Sequence, residues 1–97
     1  MKPYVAIVHK EPGSAYGLTF PDAPGCFSAA DDLDDVFTNA AEALELWAEG
    51  RLEDRLPIPP TRDLLDIKAD PNWSSAFDDA VLVIAVPRPV ALLNKAA

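Results

Sequence analysis

The chain has 97 residues, 49% of them hydrophobic, and a formal net charge of −8 at pH 7. These values predict a single domain with a two-layer core, argue against disorder, and argue against nucleic-acid binding because an acidic surface repels phosphate. The longest apolar run, residues 80–86, is too short to span a bilayer, and the single cysteine, Cys26, excludes an internal disulfide and favours a reducing cytoplasm.

The first two predicted elements form a hairpin. Residues 3–9 (PYVAIVH) are an apolar run rich in β-branched side chains, which predicts a strand covered on both faces. Nothing before this run resembles a signal peptide. The Pro-Gly pair within residues 10–14 predicts a turn, and the alternation of residues 15–20 predicts the return strand.

A rigid corner follows the hairpin. Two prolines fix the backbone there, Asp22 can bond nearby backbone amides, and Gly25 tolerates unusual dihedral angles. The residues assigned to this structural corner are Phe20, Pro21, Pro24, Gly25 and Cys26. Residues 26–30 predict a short third strand. Cys26 has no second cysteine or nearby histidine for zinc, so it is interpreted as a small buried hydrophobe.

The longest predicted element is a helix that begins near Leu33 and ends at Gly50. Its apolar residues recur with the spacing of three and four that places them on one helical face. The face predicted to pack on a sheet consists of Leu33, Val36, Phe37, Ala40, Leu44 and Trp47. Asp31 is predicted to cap the first free amides, with Asp34 in a capping-box-like position, and Gly50 to take the left-handed conformation that ends a helix.

The remaining elements are shorter. The prolines of residues 52–60 predict an extended connector. Residues 61–69 predict a short helix, and residues 72–79 an irregular stretch or single turn. The apolar residues 80–86 predict a fourth strand, again apolar on both faces, and residues 90–97 predict the start of a helix or a linker.

This order predicts an α+β fold, β-β-β-α-β, with a mostly antiparallel sheet of order 3-2-1-4 and one long helix packed on one face. A helix between the third and fourth strands predicts a right-handed crossover, with the last strand parallel to the first. Strands that are apolar on both faces need cover on the second face as well. The candidates are residues 61–77, a second copy of the chain or a different protein, and residues 61–77 are the first choice.

A string of motifs runs through residues 3–60. It comprises the short hairpin, Tyr16-Gly17, the corner FPDAPGC, the acidic helix start, EALE at residues 42–45 and a Pro-Ile-Pro connector. Together they resemble the N-terminal domain of HicB-type antitoxins, the partners of HicA toxins in bacterial toxin–antitoxin operons. Residues 61–86 fit the same family more loosely. The resemblance implies a partial RNase H-like fold.

The resemblance also implies a function. An antitoxin of this family binds a small basic RNA-cleaving HicA-like toxin, blocks its action, and regulates its operon through a C-terminal DNA-binding module. Here that implies a toxin-binding domain over residues 1–89, with residues 90–97 a linker or the start of a module absent from this sequence. Operator DNA would then be bound only through that module, and no membrane is involved. We also predict a homo-oligomer, a dimer or higher.

The placement of charge predicts where the toxin binds. Between Glu11 and Gly50 the sequence has no Lys or Arg, so this stretch would attract a basic protein, with its carboxylates standing in for RNA phosphates. The residues predicted to contact the toxin are Asp22, Asp31, Asp34, Asp35, Glu42, Glu45 and Glu49.

The residues leave other interpretations open. The acids could serve only to keep the domain soluble, and the second sheet face could build a dimer in a self-associating regulatory module. A metal-dependent nuclease would need converging carboxylates, one of them on the first strand, but residues 4–8 contain no acid. His9, Ser14 and Asp22 are the residue types of a triad, but Ser14 lacks a nucleophile-elbow pattern. We therefore predict no enzyme, no metal and no cofactor.

Overall fold

The computed structural model of the protein describes residues 2–93. In chain order the elements are β1 (Tyr4–Lys10), β2 (Tyr16–Thr19), β3 (Phe27–Ala30), α1 (Val36–Glu53), α2 (Leu64–Ala69), β4 (Leu82–Val86) and α3 (Val90–Leu93), with 3-10 turns at Leu33–Asp35 and Ser74–Phe77. The order confirms the predicted α+β class. None of the helices in this part of the chain is long and apolar enough to cross a membrane.

The four strands form one sheet of order β3-β2-β1-β4, as predicted, and every neighbouring pair is antiparallel. The prediction that the last strand runs parallel to the first is wrong, because Tyr4 lies opposite Val86 and Val8 lies opposite Leu82. The sequence pattern predicted that the chain crosses the sheet once between β3 and β4. The structure has two crossings, since α1 runs back over one face of the sheet and the chain then returns over the other.

Two contacts trace this second crossing. Near the start of the returning segment, Arg62 Nε donates to Asp22 Oδ1 at 2.8 Å, at the end of the sheet where β2 finishes. Near its end, His9 Nε2 lies 2.7 Å from the carbonyl oxygen of Ala76, where β1 finishes. The segment therefore spans the length of the sheet, and β4 begins beside the end of β1 and must run antiparallel to it.

One face of the sheet packs against α1. Alternate β1 side chains, those of Tyr4, Ala6 and Val8, point toward the helix and are fully buried. The buried residues of α1 are Val36, Ala40, Leu44 and Ala48. Trp47 is half-buried, and its ring packs edge-on against that of Tyr4 with centroids 6.0 Å apart. Three residues of the predicted face, Val36, Leu44 and Trp47, thus lie against the sheet.

Leu33 and Phe37 do not belong to that face, and their assignment to it is wrong. Leu33 is 56% exposed and Phe37 is 49% exposed. The reason is helical phase. Leu33 lies in a 3-10 turn, which has three residues per turn, and the α-helix begins only at Val36. From there the buried line advances every four residues, and Phe37 lies about 100° round the axis from Val36.

The predicted helix ends are also wrong. The residues before the 3-10 turn and before α1, Asp32 and Asp35, make no side-chain capping bond, and the carboxylate of Asp31 is exposed. At the other end α1 continues through Gly50 to Glu53, and the left-handed residue is Arg55, with φ 57°. The helix continues past Gly50 because Leu52 packs against the core in its final turn.

Gly50 lies within α1 and not at its end. It has helical backbone, and a Cβ added there would have no neighbouring atom within 4 Å. Gly50→Ala should therefore raise the free energy of unfolding by about 0.5–1 kcal/mol, measured by urea denaturation, because it restricts the unfolded chain without a clash. Gly25→Ala is the matched control. The space around Gly25 is equally open, but its φ is +84°, which L side chains rarely adopt, so this substitution should destabilise the domain. The same sign for both substitutions would contradict the prediction.

The second face of the sheet is covered by the returning segment, as expected for residues 61–77. The β1 side chains that point there, Val5 and Ile7, are buried, and so is Ile67 of α2. This cover does not reach β3. Phe27 lies opposite Thr19, and Thr19 opposite Ile7, so Phe27 shares the second face, yet it is 69% exposed.

The short helix α3 packs back onto α1. Leu92 is 6% exposed, and the carboxylate of Glu45 accepts hydrogen bonds from the backbone N–H groups of Val90 and Ala91 at 2.9 and 3.0 Å. Residues 90–93 therefore form a short helix, one of the two alternatives predicted for residues 90–97. Residues 94–97 lie outside the described residues.

Candidate partner-binding surface

The corner is built around a buried carboxylate. Asp22 is 6% exposed, and two other residues of the corner, Phe20 and Cys26, are also buried. Asp22 Oδ2 accepts a bond from the backbone N–H of Arg62 at 2.7 Å, while Oδ1 accepts from Nε at 2.8 Å and lies 2.7 Å from Nη2. Sequence reasoning placed Asp22 both in the corner and among the toxin contacts. A partner could reach its carboxylate only by displacing Arg62.

The same arginine holds a second carboxylate. Arg62 Nη1 donates to Asp70 Oδ2 at 2.9 Å, and the backbone N–H of Asn72 donates to Asp70 Oδ1 at 2.9 Å. These bonds favour the charged carboxylate and hold the pKa of Asp70 below its ordinary value. The stabilisation that these bonds give is fully present at pH values above the ordinary pKa of an aspartate, and it is lost as the pH falls through the lowered pKa of Asp70.

Cys26 behaves as the small hydrophobe expected from the sequence. It is 4% exposed, and burial raises the pKa of its thiol to about 11. The thiolate is the reactive form of cysteine, so this thiol is unreactive at neutral pH.

The acids of the 3-10 turn and of α1 differ in exposure. Asp31, Asp34, Asp35, Glu42 and Glu49 are exposed, and we refer to these five as the acidic surface. Glu45 is half-buried and caps α3. Within residues 2–93, no Lys or Arg nitrogen lies within 4.0 Å of a carboxylate of the acidic surface. Its negative charge is therefore not neutralised by local ion pairs.

Helical spacing aligns part of this surface. Asp35, Glu42 and Glu49 recur every seven residues, which places them in one line along the outside of α1. Leu46 lies in the same line, four residues after Glu42 and three before Glu49, and it is 69% exposed. An apolar side chain thus interrupts a row of carboxylates.

Leu46 also borders a groove between α1 and β3. The groove, which we call the Leu46 groove, has a volume of about 330 Å³ and is lined by Gly25, Cys26, Phe27, Ala43, Leu46 and Trp47. The sequence pattern did not single out Leu46 as an exposed apolar residue. The available signal for Leu46 was its position, since it falls outside the spacing of the buried helix face.

The residue types of a triad are not brought together. His9 Nε2 contacts the Ala76 carbonyl oxygen and lies 3.3 Å from Asp79 Oδ1, whereas Ser14 Oγ donates to the carbonyl oxygen of Glu11. Asp22 is held by Arg62. Within the described part of the chain, no three His, Cys, Asp or Glu side chains are grouped so that they could hold a metal ion.

Comparison with known sequences gives a family and two relatives. The sequence model of the HicB-like antitoxin of bacterial toxin–antitoxin systems matches residues 4–95. An uncharacterised 14.9 kDa protein of Haemophilus phage HP1 is 43% identical over 58 residues, which are 60% of this chain and 44% of the phage protein. A UPF0150 protein of Synechocystis is 30% identical over 56 residues, 58% of this chain and 71% of that protein.

Solved structures agree with this comparison. A chain of the HicA3 and HicB3 toxin–antitoxin complex has a TM-score of 0.69 and 26% identity, over 88% of this chain and 95% of that one. The N-terminal domain of Burkholderia pseudomallei antitoxin HicB has a TM-score of 0.69 and 28% identity, over 93% and 100% of the two chains. A crystal structure of the Burkholderia pseudomallei antitoxin HicB has a TM-score of 0.71 and 28% identity, over 94% of this chain and 65% of that one.

Proposed function

This chain belongs to the family of HicB-like antitoxins of bacterial toxin–antitoxin systems, and we propose that it binds and neutralises a small, basic HicA-like toxin in the bacterial cytoplasm. The observation that carries the proposal is the acidic surface, whose carboxylates are exposed and have no cation within ion-pair distance among residues 2–93. A toxin that cleaves RNA needs Lys and Arg to hold phosphate, and the same side chains are attracted to this surface.

Neutralisation then follows from occupancy. Carboxylates on the outside of α1 take the positions that RNA phosphates would take on the toxin, so antitoxin and RNA compete for the same basic groups. The long-range attraction speeds the encounter of the two proteins, which matters when the toxin must be captured before it reaches RNA. The domain itself carries out no reaction in this scheme and needs no metal or cofactor.

Autoregulation belongs in this proposal to a C-terminal DNA-binding part of the whole protein. The described domain is a poor candidate for that role because the acidic surface repels DNA. A gel-shift assay with residues 1–97 and the promoter of the operon should show no binding, and a specific complex would contradict this assignment.

A homo-oligomer also remains a proposal. It is supported by Phe27, which is 69% exposed on the part of the second sheet face that the returning segment does not cover. Light scattering on residues 1–97 tests it, and a monomer at the highest soluble concentration would rule it out for this domain.

Co-expression tests the central proposal. The chain is produced together with the small basic protein encoded in the adjacent reading frame, and growth and co-purification are recorded. We expect the second protein alone to arrest growth and the chain to restore it, with both recovered as one complex. If the second protein stays fully lethal although the chain is well expressed, the proposal is wrong.

A further inference from the structure

We infer that the Leu46 groove receives an apolar side chain of the basic partner, with Lys or Arg residues of that partner lying on either side of it. This inference rests on the proposed function and adds the place where the two proteins meet most closely. It is carried by three features of the groove: its shape, its rigidity and the charge around it.

The shape comes from small residues set between large ones. Gly25 and Ala43 leave a depression beside the side chains of Leu46 and Trp47, with the first residue of β3 at its border, and the depression has a volume of about 330 Å³. Leu46 is 69% exposed, although it belongs to α1, the helix that packs on the core. Exposed apolar groups grouped around a concavity and rimmed by polar residues are typical of a binding surface rather than of ordinary solvent-facing structure.

One lining residue of the groove, Trp47, is held in place by its contacts. Trp47 Nε1 donates to the carbonyl oxygen of Pro24 at 2.8 Å, and Arg51 Nη2 donates to the same oxygen at 3.3 Å. The Arg51 guanidinium also lies over the Trp47 ring, 5.3 Å from its centroid. Because the Trp47 ring is already held in place, it loses little conformational freedom when a ligand enters the groove.

The charge around the groove selects the occupant. Leu46 lies between Glu42 and Glu49 on the exposed side of α1, so the helix side of the groove has an acidic rim, while the Arg51 guanidinium lies over the Trp47 ring. A second copy of this chain, with net charge −8, would place like charges together at this rim. Nucleic acid would meet the same repulsion. The complementary occupant is therefore a protein with an apolar side chain flanked by cations, as a basic toxin can offer.

Apolar and charged contacts should contribute differently to the affinity and to its salt dependence. Exposed ion pairs contribute little affinity each and depend strongly on salt, whereas a side chain that fills a desolvated pocket carries much of the binding energy. A groove substitution should therefore weaken binding without changing its salt dependence. A rim substitution should lessen the salt dependence.

The experiment uses the full chain and the adjacent basic protein, with affinity measured by calorimetric titration at two salt concentrations. Leu46→Gln should weaken binding by about 10-fold or more, at the level of an interface hot spot. Ala43→Leu, which fills the groove and keeps it apolar, should weaken binding to a similar extent. The matched control is Leu65→Gln on α2, because Leu65 is 77% exposed but lies on the other side of the sheet. It should bind within about twofold of the wild type, as residues outside a hot spot do.

Each outcome decides between the two proposals. If the wild-type chain binds and Leu46→Gln or Ala43→Leu binds equally well, the groove inference fails while the proposed function stands. Equal weakening by Leu46→Gln and Leu65→Gln also overturns the inference. If the wild-type chain does not bind, the proposed function fails and the inference fails with it. Thermal unfolding of each variant verifies that the fold is intact, as expected for the exposed positions Leu46 and Leu65, and separates any packing effect at the half-buried Ala43 from its effect on binding.

Discussion

Replacing Asp22 with Ala is expected to lower the free energy of unfolding by about 2–4 kcal/mol. The Asp22 side chain is 5% exposed and interacts with the backbone N–H, Nε and Nη2 of Arg62. Without the carboxylate, these donors lose their acceptor, and the corner is no longer tied to the segment that crosses the second face of the sheet. Urea denaturation followed by tryptophan fluorescence measures the loss.

A second carboxylate provides the control. Asp63 lies next to Arg62 in the chain, but its side chain is 65% exposed and its Oδ1 lies 3.7 Å from Lys2 Nζ. Asp63→Ala should change stability by no more than about 0.5 kcal/mol, because an exposed ion pair contributes little. Asp22→Asn, which keeps one acceptor, should fall between the two. Similar losses for Asp22→Ala and Asp63→Ala would show that the buried contacts with Arg62 do not stabilise the domain.

The double substitution Glu42→Lys/Glu49→Lys is expected to weaken toxin binding by about 10- to 100-fold at low salt. Both side chains are exposed on the outside of α1, and their reversal turns attraction for a basic partner into repulsion. Most of the loss should appear in the association rate and should shrink as salt is added, because exposed charges are screened. Surface plasmon resonance across a salt series separates the two rates.

The control for this variant has the same change in net charge. Asp66 and Asp78 are exposed acids in the segment that crosses the second face, away from α1. Asp66→Lys/Asp78→Lys should leave the dissociation constant within about threefold of the wild type, since only the long-range field changes. An equal effect of the two double variants would mean that the toxin responds to total charge and not to the acidic surface.

The sequence allowed the hairpin, the sheet order and the centre of the helix face to be predicted. The strands and the helix face depend on local periodicity, which appears over a few residues, whereas the sheet order was inferred from the connections between the strands. The direction of β4 depends on the second crossing, and residues 61–77 carry only a short helix and a turn whose path over the sheet has no periodic signature. The predicted start of α1 was wrong because carboxylates near a helix start do not by themselves make capping bonds. The predicted end was wrong because Gly50 lies inside the helix.

The candidate surface was predictable in its charge but not in its detail. The run of acids without Lys or Arg between Glu11 and Gly50 indicated a negative face. Whether an individual carboxylate is free depends on partners far along the chain: Arg62 for Asp22, and the start of α3 for Glu45. The Leu46 groove joins residues of the corner, β3 and α1, and no short-range pattern links them.

The position of β1 in the sheet has a consequence for how the protein is made. β1 is the first strand to be synthesised, and it lies between β2, which follows it directly, and β4, which is the last strand to be synthesised. Until the ribosome has released almost the entire domain, β1 therefore presents one unpaired edge with apolar side chains on both faces, the kind of edge that invites aggregation. Co-translational folding can complete the hairpin early, but the sheet closes only near the end of synthesis.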